Sequence, residues 1–272
     1  MMNANYLKPS LSRGIEYLEL AILAATGIVV IALQLKPIGW LILAAGLLLL
    51  PLCRRVFAKD LLLIYLSTAL LGLTPITTDI SWGHLFVMGT TLVLAVAIPY
   101  FVSRYIYKDY VVRFRFHHGR RWFRSEVLWI FGTGLIAYFL LPFYLSDTGA
   151  YLNWTVDPGI SNILRFFAGT NGLGIWDELF FVSTVLGILR RYFPFLIANL
   201  TQAVLFTSFL YELGFTGWGP LMLYPFALIQ GFVFRKTESL FYIITIHLTY
   251  DLVLFFALLN AHHPDWAPFF IT

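Results

Sequence analysis

Five ionisable residues stand inside otherwise apolar stretches of this 272-residue chain: Asp177 and Glu178 at the head of WDELFFVSTVLGILRR, Glu212 near the end of the next apolar run, and His247 with Asp251 in SLFYIITIHLTYDLVLFFALL. An ionised group at membrane depth costs on the order of 3 kcal/mol even on a lenient insertion scale, so such residues face a partner or a wet cavity. His247 and Asp251 are four residues apart, which places them on one helical face about a turn apart. The adjacent carboxylates point about 100° apart on a helix, so Asp177 and Glu178 cannot address one spot equally. A carboxylate in apolar surroundings can take a proton from water and return it to a leaving amine. An imidazole on a facing helix can hold the oxyanion or orient the water. Hydrolysis inside a membrane is the chemistry this set suits. A buried His–Asp pair kept only for packing would explain His247 and Asp251 but leaves Asp177 and Glu178 unaccounted for.

The elements that must carry these residues are membrane helices. The composition is 60% hydrophobic and 12% charged, which excludes an ordinary soluble domain. A bilayer core needs about 20 apolar residues per helix, and candidate spans fall at 15–35, 37–53, 60–76, 84–103, 126–146, 169–189, 194–213, 217–234 and 239–259. The fold class is therefore all-α, a polytopic transmembrane bundle of eight or nine spans; the second and third are short and could be tilted or re-entrant. The chain divides into N-terminal membrane helices with a basic interfacial segment (1–125) and a core carrying the polar residues (126–272), in one continuous membrane domain.

Alternating the sides gathers Lys8, Arg13, Arg54, Arg55, Lys59, the basic run 104–124, Arg190, Arg191, Arg235 and Lys236 on one face, with Lys36 and Arg165 on the other. The positive-inside rule makes the basic face cytoplasmic and the N-terminus internal, the first span serving as an anchor rather than a cleaved signal. The run RYIYKDYVVRFRFHHGRRWFR, with His117 and His118, reads as an interfacial segment on anionic headgroups, so no nucleic-acid partner is expected. Residues 147–174 form the longest polar connection on the opposite face, a candidate lid, and Asn153-Trp154-Thr155 fits a glycosylation acceptor only weakly. The lone Cys53 forms no internal disulfide.

Residues 176–258 resemble the CAAX prenyl protease and bacteriocin-processing family of intramembrane proteases. That family carries Glu-Glu-x-x-x-Arg at the head of one span, Phe-x-x-x-His on the next and His-x-x-x-Asn/Asp on the last. DELFFVSTVLGILRRYFP is similar to the first motif with its trailing basic pair, and PFALIQGFVFRKTESLFYIITIHLTYD to the approach to the last His. Asp177 and Glu178 take the places of the two Glu, and His247 and Asp251 those of the last His and Asn/Asp. Three positions depart: Asp177 is one methylene short, Val182 replaces Arg, and Leu210 falls where the second-motif His belongs, unless a shift brings Glu212 there.

The resemblance implies an intramembrane endopeptidase in which Asp177 or Glu178 activates water, His247 and Asp251 orient it or stabilise the intermediate, and Glu212 assists. The partners implied are membrane lipid and a peptide or protein substrate, and the location an integral membrane protein of a bacterial inner membrane. Cofactor need stays open between none, which is preferred, and a divalent metal on this oxygen-rich set. A non-catalytic relative binding a lipid, peptide or protein partner is the alternative. An ion-coupled transporter is disfavoured because the membrane-depth acids are confined to one end of the chain and no broken-helix pair is evident.

Overall fold

The computed structural model describes residues 9–116 and 121–270, with side chains from residue 12 onward; Lys8, His117 and His118 lie outside them. Helices occupy each expected span. They are α1 (Pro9–Thr26, continued by a π turn over Gly27–Ala32), α2 (Lys36–Leu49), α3 (Arg55–Leu73), α4 (Trp82–Phe101) and α5 (Arg124–Thr148). There follow α6 (Ile160–Asp177), a π-helical stretch Glu178–Leu186, α7 (Phe195–Glu212), α8 (Gly219–Thr237) and α9 (Leu240–His262). No strand occurs among the described residues. Among the described residues, seven helices are long and apolar enough to cross a membrane. The third expected span is one of them, whereas the second is a shorter apolar helix ending at Leu52.

The layering follows the sequence of each helix. In Ile160–Leu189 the most apolar window is 72% buried, against 17% for Trp82–Ile106 and 28% for Arg124–Thr148. The first is therefore the central rod, and the other two present Phe86, Val93, Phe131 and Phe139 outward, where lipid chains satisfy them. The π-helical stretch buries Phe180, Phe181, Val182, Val185 and Leu186 on all sides, as an all-round apolar helix must. Around the rod pack α4, α7, α8 and α9, and α9 also lies along α5.

Two expectations are corrected. Residues 160–174 are helix, not loop, because GTNGLG continues the turns of α6. The polar connection is thus confined to 149–159, where Gly149 adopts the left-handed conformation that closes α5 and Asn153 donates to Gly214 O at 2.7 Å. Nor are buried acids confined to one end of the chain. Glu16 and Glu19 on α1 and Asp60 on α3 are fully buried. Glu16 forms a fork with Arg54 through two 2.7 Å bonds, Glu19 accepts from Tyr65 Oη at 2.7 Å, and Asp60 accepts from Tyr192 Oη at 2.5 Å and Arg191 at 3.2 Å. Arg54 and Arg191 come from the basic face, which accounts for acids so near a helix end.

The first helices close on one valine. A Cβ on Gly39 or Gly72 would strike the Val30 side chain, and at Gly39 the Val30 backbone as well. Small residues here let three helices approach without a polar partner. Gly39→Ala is expected to lower stability by about 1–3 kcal/mol through overpacking. Gly132→Ala, which meets open space, should be neutral or slightly stabilising; thermal unfolding in detergent compares the two.

Candidate active site

The central rod changes from α-helix to π-helix between Asp177 and Glu178. Widened turns of this kind concentrate at functional sites because they redirect consecutive side chains. Here the two neighbours address one ring from two sides. Glu178 Oε1 lies 2.8 Å from His247 Nδ1, while Asp177 Oδ2 is 3.8 Å from Nε2. Asp251, one turn beyond His247 on α9, places Oδ1 3.8 Å from the same Nε2. Adjacent acids cannot share one spot, but the two nitrogens of an imidazole give each its own.

Each ring nitrogen therefore has a distinct environment. Nδ1 is hydrogen-bonded to Glu178 Oε1, which also accepts from Gln230 Nε2 at 2.7 Å. Gln230 is itself fixed by donating to Ile243 O at 3.1 Å. Phe206 and Phe226 flank the ring, with centroids 5.9 and 5.2 Å away. These contacts leave the imidazole one orientation, with Nε2 toward Asp177 and Asp251. A separation of 3.8 Å is too long for a direct hydrogen bond and short enough for one water to serve both groups. Among the described residues Asp177 Oδ1 and Asp251 Oδ2 have no hydrogen-bond partner, so both carboxylates keep an acceptor for a reacting molecule.

Asp177, His247 and Asp251 form the polar end of a cavity of about 350 Å³. Its other walls are mainly apolar and aromatic, including Met88, Trp176, Met222, Phe226 and Leu254, and they reach the α3–α4 connection at Thr77–Ile80 and Trp154 in the α5–α6 connection. Glu178 is not on the wall; it stands behind His247. Close approach of α6 and α9 is permitted by Gly174, where a Cβ would collide with Asp251 Oδ2 and crowd His247. Gly231 likewise makes room for the Asn199 side chain beside Gln230.

Of the five residues singled out from the sequence, four meet and Glu212 does not. It ends α7 outside the cavity wall, and its charged neighbour is Lys36. Leu210, at the second-motif His position, does line the cavity. Val182 is buried among apolar side chains, and Arg191 of the trailing pair binds Asp60 and Asp109 instead. Sequence reasoning passed over Gln230 and Gly174. A lone amide in PFALIQGF was a visible signal for the first; nothing in the sequence marks the second. Among the described residues no three His, Cys, Asp or Glu converge as metal ligands.

A family model described as Type II CAAX prenyl endopeptidase Rce1-like matches residues 159–253, from the start of α6 to just past Asp251. The matched region contains Asp177, Glu178, Gln230, His247 and Asp251, and with it the resemblance drawn from the motifs is borne out. The seven long apolar helices among the described residues make this an integral membrane protein, and its region 159–253 is similar to that CAAX-protease family. No curated protein and no solved structure matches the chain.

Two substitutions test the packing of the site. Gln230→Leu removes the second donor to a buried carboxylate and should cost about 1–3 kcal/mol. Gly174→Ala should cost a comparable amount by forcing α6 from α9. Both are read as a lowered unfolding midpoint in detergent.

Proposed function

We propose that the protein is an intramembrane endopeptidase whose base is Asp177 and whose electrophilic group is His247. The observation that carries this is the arrangement of one imidazole edge and two carboxylates at one end of a mainly apolar cavity. Asp177 takes a proton from water as its oxygen adds to the scissile carbonyl carbon. The resulting oxyanion lies against Nε2–H of His247, which acts here as the doubly protonated imidazolium with Glu178 accepting from its Nδ1–H. Asp177 then passes the proton to the departing nitrogen, the C–N bond breaks, and acid and amine products leave. Asp251 holds the water and the far side of Nε2. Glu178 and Gln230 are positioning residues.

The apolar walls suit a substrate that presents a lipid-like or hydrophobic segment beside the bond to be cut. The clustering of Arg54, Lys59, Arg115 and Arg191 with their partners at one end supports a cytoplasmic location for that end and for the N-terminus.

Leu210 favours a second possibility. Where the family has a His, an apolar side chain faces the cavity, as expected of a relative that binds a lipid, peptide or protein partner without cutting it. The two are separated by incubating reconstituted protein with prenylated and unprenylated C-terminal peptides, with and without divalent metal. Cleavage is expected, with Asp177→Asn and His247→Ala each reducing kcat by about 10²–10⁴-fold and Glu212→Gln leaving it within about twofold, as for a side chain outside the cavity. Absence of cleavage under all these conditions, together with cleavage gained by Leu210→His, would establish the binding protein instead.

A further inference from the structure

A second cavity, of about 400 Å³, lies at the opposite end of the central rod, on the basic face. Its wall holds Arg113 and Arg115 from the segment before α5, Arg190 and Arg191 from the end of the rod, and the acids Asp109 and Glu238. Four guanidiniums thus meet two carboxylates, and both carboxylates are already engaged. Asp109 is bound by Lys59 at 2.6 Å and lies 3.5 Å from Arg191; despite partial burial, Lys59 and the Val111 N–H hold its carboxyl below the usual range. Glu238 pairs with Arg115 at 2.5 Å. Two guanidiniums remain uncompensated. Arg190 has no partner among the described residues, and Arg113 spends only its Nε, on Tyr110 O at 2.7 Å.

The floor of this cavity supplies an independent observation. Ser183, on the π-helical stretch, lines it. Ser183 is 2% exposed, and among the described residues its Oγ has no hydrogen-bond partner. A hydroxyl so buried is normally satisfied. Neighbouring Gly187, also on the wall, adds no side chain between Ser183 and the arginines. Tyr105, Ile106 and Phe116 stand exposed nearby, as residues at a headgroup boundary do.

We propose that this cavity is a binding site for a phosphate group, with Arg113 and Arg190 supplying charge-assisted donors and Ser183 Oγ–H a third donor from below. Phosphate oxygens match this set because they accept several strong hydrogen bonds from planar guanidiniums at once. The group could be carried by an anionic phospholipid or arrive as free phosphate, and the two sources share this chemistry. The bound group would rest on the same π-helical stretch that begins with Glu178. The site is distinct from the apolar cavity and does not depend on proteolysis.

Native mass spectrometry of the full chain in detergent, titrated with phosphatidylglycerol, tests the assignment. The double variant R113Q/R190Q is expected to bind it at least about tenfold more weakly than wild type, and Ser183→Ala several-fold more weakly. Arg55→Gln removes a charge from the same face outside the cavity and should change binding less than about twofold. Displacement of the lipid by inorganic phosphate identifies a site open to free phosphate; resistance to it, with loss in the double variant, identifies a lipid-headgroup site. Equal losses in Arg55→Gln and the double variant would reduce the effect to diffuse surface charge and overturn the proposal. Ser183→Ala preserves every charge and removes only an unpartnered hydroxyl, so it decides the matter should the double variant fail to fold: unchanged binding would refute the site.

Discussion

An imidazole can stand in the middle of an apolar bundle only if each of its nitrogens has a partner, and the arrangement around His247 follows from that requirement. Glu178 takes Nδ1, and Asp177 and Asp251 stand near Nε2. Leaving any one of these charges alone in a low-dielectric interior would cost several kcal/mol. The surrounding elements are shaped to meet the need. The rod switches to a π-helix so that adjacent acids reach two sides of one ring, α8 contributes Gln230 behind Glu178, and Gly174 lets α9 come close enough for the contact.

The acids of the bundle fall into two kinds, distinguished by what balances them. Glu16, Asp60 and Asp109 are met by Arg54, Arg191 and Lys59 at the basic end, where the chain also carries its surplus cations. Asp177, Glu178 and Asp251 have no cation other than the imidazole itself. The first kind closes the helix ends together. The second places unpartnered acceptor atoms of Asp177 and Asp251 on the wall of the apolar cavity, the condition for acting on a bound molecule. Access to that cavity, more than depth in the bundle, separates the candidate catalytic acids from the buried Glu19 and Asp60.

Much of this was legible in the sequence because membrane helices announce themselves by length and apolarity, and because acids within them are conspicuous. The spacing of His247 and Asp251 gave their common face, and the position of Asp177 and Glu178 gave the opposing element. Glu212 was misplaced because its distance along α7 said nothing about which neighbour it faces; that depends on the packing of α7 against the π turn Gly27–Ala32, just ahead of Lys36. Glu16, Glu19 and Asp60 went unread for the complementary reason: they sit near the start of the expected spans, where charge is ordinary, and their burial comes from long-range partners such as Tyr65 and Tyr192. The π-helical register, on which the two-sided grip of His247 rests, has no sequence signature in ELFFVSTVL. Residues 169–174 looked like a loop because glycines punctuate soluble chains, whereas in a membrane core they make room for close helix packing.

Glu178 holds Nδ1 of His247 while Asp177 and Asp251 face Nε2. Solid-state NMR on protein reconstituted in lipid, with isotope-labelled histidine and acidic side chains, reads this directly. The expected result is a close correlation from His247 Nδ1 to the Glu178 carboxyl, abolished by Glu178→Gln, and weaker correlations from Nε2 to the Asp177 and Asp251 carboxyls. A ring whose Nδ1 shows no contact with Glu178, or whose Nε2 is near neither aspartate, would contradict the account.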